Sequence, residues 1–258
     1  MYFNLGLACA GRQGPYPFQR HGRQPIRMDE CNRNLRRPTR PNSVLIHQLP
    51  ITKVRPKLAV VHQGPTEYIH ALEWQRRLAD ERAKGLIPDT LLLLEHPHVI
   101  TRGRGANSYT IGNTPHPIHD VERGGDVTYH GPGQLIGYPI IHLKERNLLI
   151  GSYLRLLENI LIESLAAFGI EARREKGFTG VWARGRKLAS IGIAVRSWVA
   201  YHGFALNVST NLSQYAGIYP CGLEPDQMTS MERLLGRAPD IEAVRRQVET
   251  QFRRSLRA

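Results

Sequence analysis

The stretch SYLRLLENILIESLAAFG, residues 152–169, constrains the fold most tightly, because its apolar spacing fits a helix laid on a core. Tyr153, Leu156, Leu157, Ile160, Leu161, Leu165 and Phe168 recur every three or four residues and form one stripe. Ser152 is the predicted N-cap and Gly169 the predicted stop. The next segments change period. GVWA and KLASIGIAV read as strands joined across Arg184-Gly185-Arg186, and YHGFALNV follows a turn at Ser197-Trp198.

Upstream, LAVVH reads as a buried strand, and Pro65-Thr66 opens a helix with Ile69, Leu72 and Leu78 on one face, ending near Gly85. DTLLLLEHPHVITRG is an apolar strand broken at Pro97, and DVTYH and LIGYPIIHL flank the Gly-Pro-Gly stretch at 131–133. Downstream, TSMERLLG predicts a short helix, and Asp240 caps a final helix carrying Val244, Val248 and Phe252. Strands and helices mix without strict βαβ alternation, which predicts an α+β (mixed α/β) fold.

The net charge of +13 raises the question of a nucleic-acid partner, and its distribution answers against one. Residues 1–57 hold eleven Lys or Arg against two acids, a net +9 that leaves only +4 for residues 58–258. That leader is rich in Arg, Pro, Gly and Gln and lacks apolar periodicity, so it is expected to be disordered. The expected division is a basic extension at 1–57 and one catalytic domain at 58–258. An Arg-rich, acid-poor leader admits a mitochondrial transit peptide; its prolines weigh against that, and an upstream extension with Met28 as a second start is the other reading. No apolar run approaches the ~20 residues of a membrane span. Cys9, Cys31 and Cys221 fit neither a disulfide framework nor a zinc site, and point to a reducing compartment.

Three segments are too rich in Gly, His and hydroxyls for ordinary strands. The first is RGGDVTYHGPGQLIGYP, residues 123–139; its glycine spacing misses the dinucleotide fingerprint, and no Walker A loop is present. Pattern alone allows a glycine-rich hairpin there, but Arg123, Tyr129, His130 and Gln134 stand among glycines that let a ligand approach the backbone. The second is residues 185–207, where Gly192, Gly203 and Ala205 pare down a sheet face and leave room for something long and apolar. Pattern alone leaves Lys187 as a solvated strand end or a functional cation, and His202 as a structural histidine or a base. The third is GIYPCGLEPDQMTS, residues 217–230, where Cys221 sits at a Pro-Cys-Gly bend instead of inside an apolar element. Thiolate character there needs a cation nearby, and Lys187 is the candidate.

Together these segments resemble the octanoyltransferases, the lipoyl(octanoyl) transferases of lipoate biosynthesis. The residues that carry the resemblance are RGGDVTYHGPGQL at 123–135, GRKLASIGIAV at 185–195, YHGFALNV at 201–208, and YPCGL with MTSM at 219–231. LLLLEHPHVITRGR at 91–104 matches more loosely, and the following HVITRGRGANSYTI is richer in glycine and arginine than the pattern leads one to expect. The resemblance implies the catalytic fold of biotin and lipoate protein ligases, a mixed sheet with packed helices. It implies that Cys221 takes an octanoyl group from octanoyl-acyl carrier protein as a thioester, with Lys187 lowering the thiol's pKa. The acceptors it implies are lysines on lipoyl domains of 2-oxoacid dehydrogenase E2 subunits and on the glycine cleavage H protein.

Substrate contacts fall by the same resemblance on Arg123, Gly124, Gly125, Asp126, Val127, Thr128, Tyr129 and His130. They fall also on Ser190, Ile191 and Gly192, and on Gly203, Phe204 and Ala205, with His202 and Gln134 in support. The implied protein is a cytoplasmic monomer that uses no cofactor or metal, and binds neither nucleic acid nor membrane. An ATP-dependent ligase on the same fold is the near alternative; it needs no cysteine nucleophile, so Cys221 argues against it.

Overall fold

In this computed structural model the described residues are 57–106, 111–220 and 223–257. The leader expected to be disordered therefore lies outside the described residues, apart from Lys57. The chain runs through β1 (Leu58–Pro65), α1 (Tyr68–Ala83), β2 (Asp89–Glu95), β3 (Val99–Arg102), β4 (Ile118–Asp120), β5 (Val127–His130) and β6 (Gln134–His142). It continues through α2 (Ile150–Ala166), β7 (Gly180–Ala183), β8 (Arg186–Arg196), β9 (Val199–Asn207), α3 (Met231–Leu235) and α4 (Ile241–Arg257).

Six strands form one sheet in the order β1-β2-β6-β9-β8-β7, and a smaller sheet has the order β4-β3-β5. Only β1 and β2 pair in parallel within the large sheet, as the crossover through α1 requires. The large sheet is covered on both faces, which is why β2 reads as an unbroken apolar run. Leu91 and Leu93 join the cluster that holds α2 and α4, whereas Leu92 and Leu94 join the one under α1. The turn at Pro97 does more than break a strand: it sends the chain from the large sheet into the small one.

The long helices follow the predicted stripes with informative shifts. Leu157, Ile160 and Leu161 are fully buried, and Gly169 ends the segment at φ +74°. The cap, however, is Leu149 and not Ser152, because a turn closed by Leu148 N–H on the Leu143 carbonyl (2.9 Å) sets the helix entry earlier. Glu158 shares the buried stripe and is satisfied by Arg155 (2.7 Å), Arg174 (2.8 Å) and the Gly180 N–H (3.2 Å). On α4 the expected cap holds: Asp240 Oδ1 accepts from Glu242 N–H at 3.0 Å.

Two further expectations are corrected. β1 is an edge strand, half-buried at its start and exposed from His62 on, because only β2 pairs with it. In α1 the inward face is Tyr68, Leu72, Gln75, Ala79 and Arg82, so Ile69 points outward at 40% exposure. Counting apolar residues alone rotates this helix wrongly, because Gln75 and Arg82 are inward-facing polar groups. Arg82 is buried by its pairing with Asp89, which is fully buried and also bonded by Arg146.

The rotation of α1 has a direct consequence for stability. Leu72→Ala is expected to cost about 2–5 kcal/mol. Ile69→Ala should stay within roughly 1 kcal/mol. Chemical denaturation of both variants checks this, and equal losses would contradict the assigned face.

Candidate active site

On the α1 face of the sheet, β8 and β9 present pairs of small residues. Ser190 lies opposite Ala205 and Gly192 opposite Gly203. With no side chain longer than a hydroxymethyl, these pairs form the floor of a slot. The glycine at 203 is obligatory: a Cβ there would stand 2.2 Å from the Gly137 carbonyl oxygen and 2.5 Å from Pro139 Cδ.

Lys187 reaches the same slot through a local irregularity. Along β7 and β8, Val181 pairs with Ala189 but Trp182 pairs with Lys187, which leaves Leu188 as an extra residue. Such a bulge re-aims the neighbouring side chain, and Lys187 lines the slot together with Ser190 and Gly192. It is 1% exposed, rare for a lysine. Its stem passes over Gly180, where an added Cβ would meet Cε at 3.1 Å, and its Nζ lies 5.9 Å from the Trp182 ring centroid.

The walls come from the small sheet, from α1 and from β6. The loop before β5 lies across β8, with Gly124 N–H donating to the Ile193 carbonyl at 2.8 Å. Arg123, nearly buried, donates from Nη2 to both the carbonyl and the hydroxyl of Thr101, each at 2.9 Å. Tyr68 and Tyr138 close the opposite side. Tyr68 stacks on His130 (centroids 6.1 Å, 7° between planes) and meets His96 edge-on at 5.2 Å.

Burial keeps these histidines neutral, and the hydrogen bonds then fix the tautomers. His96 Nδ1–H donates to the Thr66 carbonyl at 2.6 Å, so its Nε2 accepts from the Tyr138 hydroxyl at 2.7 Å. Gln134 Nε2 donates to the Tyr129 carbonyl and to Asn207 Oδ1, so its Oε1 faces His130 and accepts from Nδ1–H at 2.9 Å. Both rings are neutral: burial pushes His96 down to about 4 and His130 down to about 3.

His202 stands opposite Ile193, five strand steps along β8 from Lys187 once the bulge at Leu188 is discounted, or about 16 Å at ~3.3 Å per residue. It holds a left-handed backbone at φ +57°, an uncommon conformation for a non-glycine residue. Its N–H is fixed by Gln75 Oε1 at 2.9 Å. Burial is the main cause that pushes it down to about 4, although Glu122, 3.9 Å from Nε2, pulls the other way. Glu122 is itself held down at about 2, chiefly by the two-pronged bond from Arg76. His202 Nε2 and Thr128 Oγ1 have no hydrogen-bond partner among the described residues, and both residues line the slot.

Two of the three segments singled out in the sequence converge on the slot, and the third meets the Lys187 backbone through Met228 and Thr229. Arg123, residues 125–128 and His130 line the slot, as do residues 190–192, residues 203–205, Lys187 and His202. Three of the expected residues do not. Gly124 anchors the loop by its backbone. Tyr129 turns to the other side, packs with Ile100, Tyr215 and Ile218, and bonds His98 Nδ1 at 2.6 Å. Gln134 is the fully buried hub between His130 and Asn207.

Cys221 lies outside the described residues, which resume at Leu223. Leu223 N–H donates to the Pro220 carbonyl at 3.2 Å. Met228 bridges to Lys187, Thr229 N–H donates to the Lys187 carbonyl at 2.9 Å, and Asn207 Nδ2 donates to the Thr229 carbonyl at 3.0 Å. Sequence reasoning missed Tyr68, Tyr138, Thr101 and Asn207 as parts of the site. Tyr68 and Tyr138 sit inside apolar patterns, and the asparagine of YHGFALNV was the signal for Asn207.

Residues 67–253 match the family model of the lipoyl protein ligase A/B catalytic domain. The octanoyltransferase of Geobacter metallireducens is 49% identical over 189 residues, covering 73% of this chain and 89% of that protein. The octanoyltransferase of Rubrobacter xylanophilus is 47% identical over 202 residues, covering 75% and 90%. The chain belongs to the octanoyltransferases. It is a transferase of lipoate biosynthesis, acting in octanoyl or lipoyl transfer.

Among solved structures, lipoate-protein ligase A bound with ATP aligns with a TM-score of 0.64 at 16% identity, covering 79% of this chain and 86% of that one. A bi-partite lipoate protein ligase from Thermoplasma acidophilum aligns at 0.56 and 15% identity, covering 79% and 84%. At that distance the likeness concerns the fold, which is the mixed α+β ligase fold the resemblance implies. Among the described residues, no helix is long and apolar enough to cross a membrane.

The buried histidines make stability depend on pH. In the unfolded chain each binds a proton near 6.5; folded, His96 and His202 bind one only near 4 and His130 near 3. The unfolded state therefore holds more protons in that window, and stability is expected to fall as pH drops from 6.5 towards 4. Glu122 adds to the loss only below about 4.5. Denaturant midpoints measured between pH 7 and 5 should decline, and His130→Asn should flatten that decline; a flat profile for the unaltered protein would contradict it.

Proposed function

We propose that this octanoyltransferase takes its acyl group from octanoyl-acyl carrier protein and passes it, through a thioester on Cys221, to the ε-amine of a lysine on a lipoyl domain. The observation that carries this reading is Lys187. It is an almost fully buried lysine at one end of a slot floored by small residues, with Met228 and Thr229, just downstream of Cys221, bonded along its backbone.

In the first step the Cys221 sulfur attacks the carrier thioester, a C–S bond forms as another breaks, and the carrier's thiol leaves with a proton. Exchange between thiols conserves the energy of the acyl bond. In the second step the acceptor amine attacks the acyl carbonyl, the thiol of Cys221 is released, and an amide forms. The amide lies downhill from a thioester, so no ATP is needed. An ammonium at Lys187 favours the thiolate before acylation, and the neutral amine accepts a proton from the incoming nucleophile afterwards.

The acyl chain extends from Lys187 over Ser190 and Ala205. Acceptors of this kind are the lipoyl domains of 2-oxoacid dehydrogenase E2 subunits and the glycine cleavage H protein. Residues 58–258 form the catalytic unit, working as a cytoplasmic monomer.

Octanoyl transfer from the carrier thioester should proceed with no ATP present. Cys221→Ser should lower it roughly a thousandfold or more. Lys187→Ala should slow transfer and move iodoacetamide alkylation of Cys221 to higher pH. Full transfer by Cys221→Ser, or strict dependence on ATP, would overturn the reading.

A further inference from the structure

The loop at 123–124 crosses the floor of the slot at Gly192. Ser190 and Gly192 are both half-buried on that floor, Ser190 between Gly180 and Ala205 and Gly192 beside Gly203. A Cβ on Gly192 would stand 2.9 Å from the Gly124 carbonyl oxygen and 3.2 Å from Arg123 Cδ. The loop therefore packs closely on the floor along β8 at Gly192, which narrows the slot there, while Gly203 still lines it. From this we propose that the loop at 123–124 is the end-stop that sets the length of the acyl chain the enzyme accepts. The proposal rests on the functional reading above, in which the thioester carbon stands at the Lys187 end.

The distances agree with a medium-length chain. Gly192 is five steps along the chain from Lys187, one of them taken up by the bulge at Leu188. Four strand steps place the stop about 13 Å from the lysine backbone at ~3.3 Å per step. The thioester group occupies the first part of that span, and the remainder suits a chain near eight carbons.

A stop discriminates only if it is rigid, and the loop is held from three directions. Gly124 N–H bonds down to the Ile193 carbonyl of the floor (2.8 Å). Arg104 N–H bonds to the Arg123 carbonyl (3.0 Å) and Gly105 N–H to the Gly125 carbonyl (2.9 Å). The Arg123 guanidinium reaches sideways to Thr101 through two bonds of 2.9 Å. Gly103 is tied into the same arrangement: a Cβ there would meet the Gly125 carbonyl oxygen at 2.4 Å and Arg123 Nη1 at 2.7 Å. The side chain of Arg123 thus serves as the strut of the stop, and Ser190 sets the clearance halfway along.

Two substitutions act at different points along the slot. Arg123→Ala removes the strut and the Cδ that abuts Gly192, and so lengthens the slot. Ser190→Leu, at a half-buried strand position, obstructs it midway. The experiment measures competition kcat/KM for carrier thioesters of four, six, eight, ten and twelve carbons in the unaltered enzyme and both variants.

The unaltered enzyme is expected to prefer the eight-carbon donor over the twelve-carbon donor by about tenfold or more. Arg123→Ala should reduce that preference by about tenfold. Ser190→Leu should shift the preference by a similar factor from eight carbons to four or six. Should Arg123→Ala fail to fold, Arg123→Met, which keeps the stem and loses both bonds to Thr101, replaces it in the same comparison. Octanoyl transfer with an unchanged length profile in the variants would overturn the end-stop and leave the functional reading standing. No transfer of any chain by the unaltered enzyme would overturn that reading, and the end-stop with it.

Discussion

The close pairing of β8 with β9 is the constraint on which the site depends. Eight residue pairs, from Ala189↔Leu206 to Arg196↔Val199, keep one register throughout. That register places small residues opposite small residues, so that a trench opens on one face of an otherwise filled sheet. On the other face the same strands bury Ile191, Phe204 and Leu206 under α2 and α4. A slip by one residue would exchange the two faces, filling the trench and hollowing the core at once. In the neighbouring pairing of β7 with β8, the bulge at Leu188 carries Lys187 to the trench side.

A buried chain of hydrogen bonds then joins the trench to the strands around it. It runs from Arg123 to Thr101, and His130, Gln134 and Asn207 are linked in turn at 2.9 Å. Asn207 bonds the Thr229 carbonyl, and Thr229 bonds the Lys187 backbone. Each member is nearly or fully buried, and low polarity makes such a network strong when it is complete and costly when it is broken. The loop over the floor, the lysine strand and the segment after Cys221 therefore hold their relative positions together.

Much of this was legible in the sequence, for physical reasons. The α2 stripe, the break at Pro97 and the β7–β8 hairpin follow from periodicity and turn chemistry alone. Gly192, Gly203 and Ala205 stood out because a pared-down strand face is wasteful unless something lies on it. Other features were hidden by the same logic. Tyr68 and Tyr138 belong to apolar patterns, so they read as core although they wall the slot. Gln75 and Arg82 face inward on α1, and an apolar count rotated that helix until Ile69 pointed in. Tyr129, flanked by two residues that line the slot, points away because alternate residues of a strand face opposite sides. The bulge at Leu188 leaves no mark that composition can reveal, and β4, at three residues, is too short for any pattern.

The central proposal is that Cys221 carries the acyl group between donor and acceptor. Intact-mass analysis of the enzyme after exposure to octanoyl-acyl carrier protein alone, followed by peptide mapping, tests it most directly. The expected result is a gain of one octanoyl group, labile to hydroxylamine and located on Cys221. A stable adduct on another residue, or transfer to the acceptor that never passes through an acylated enzyme, would contradict the account.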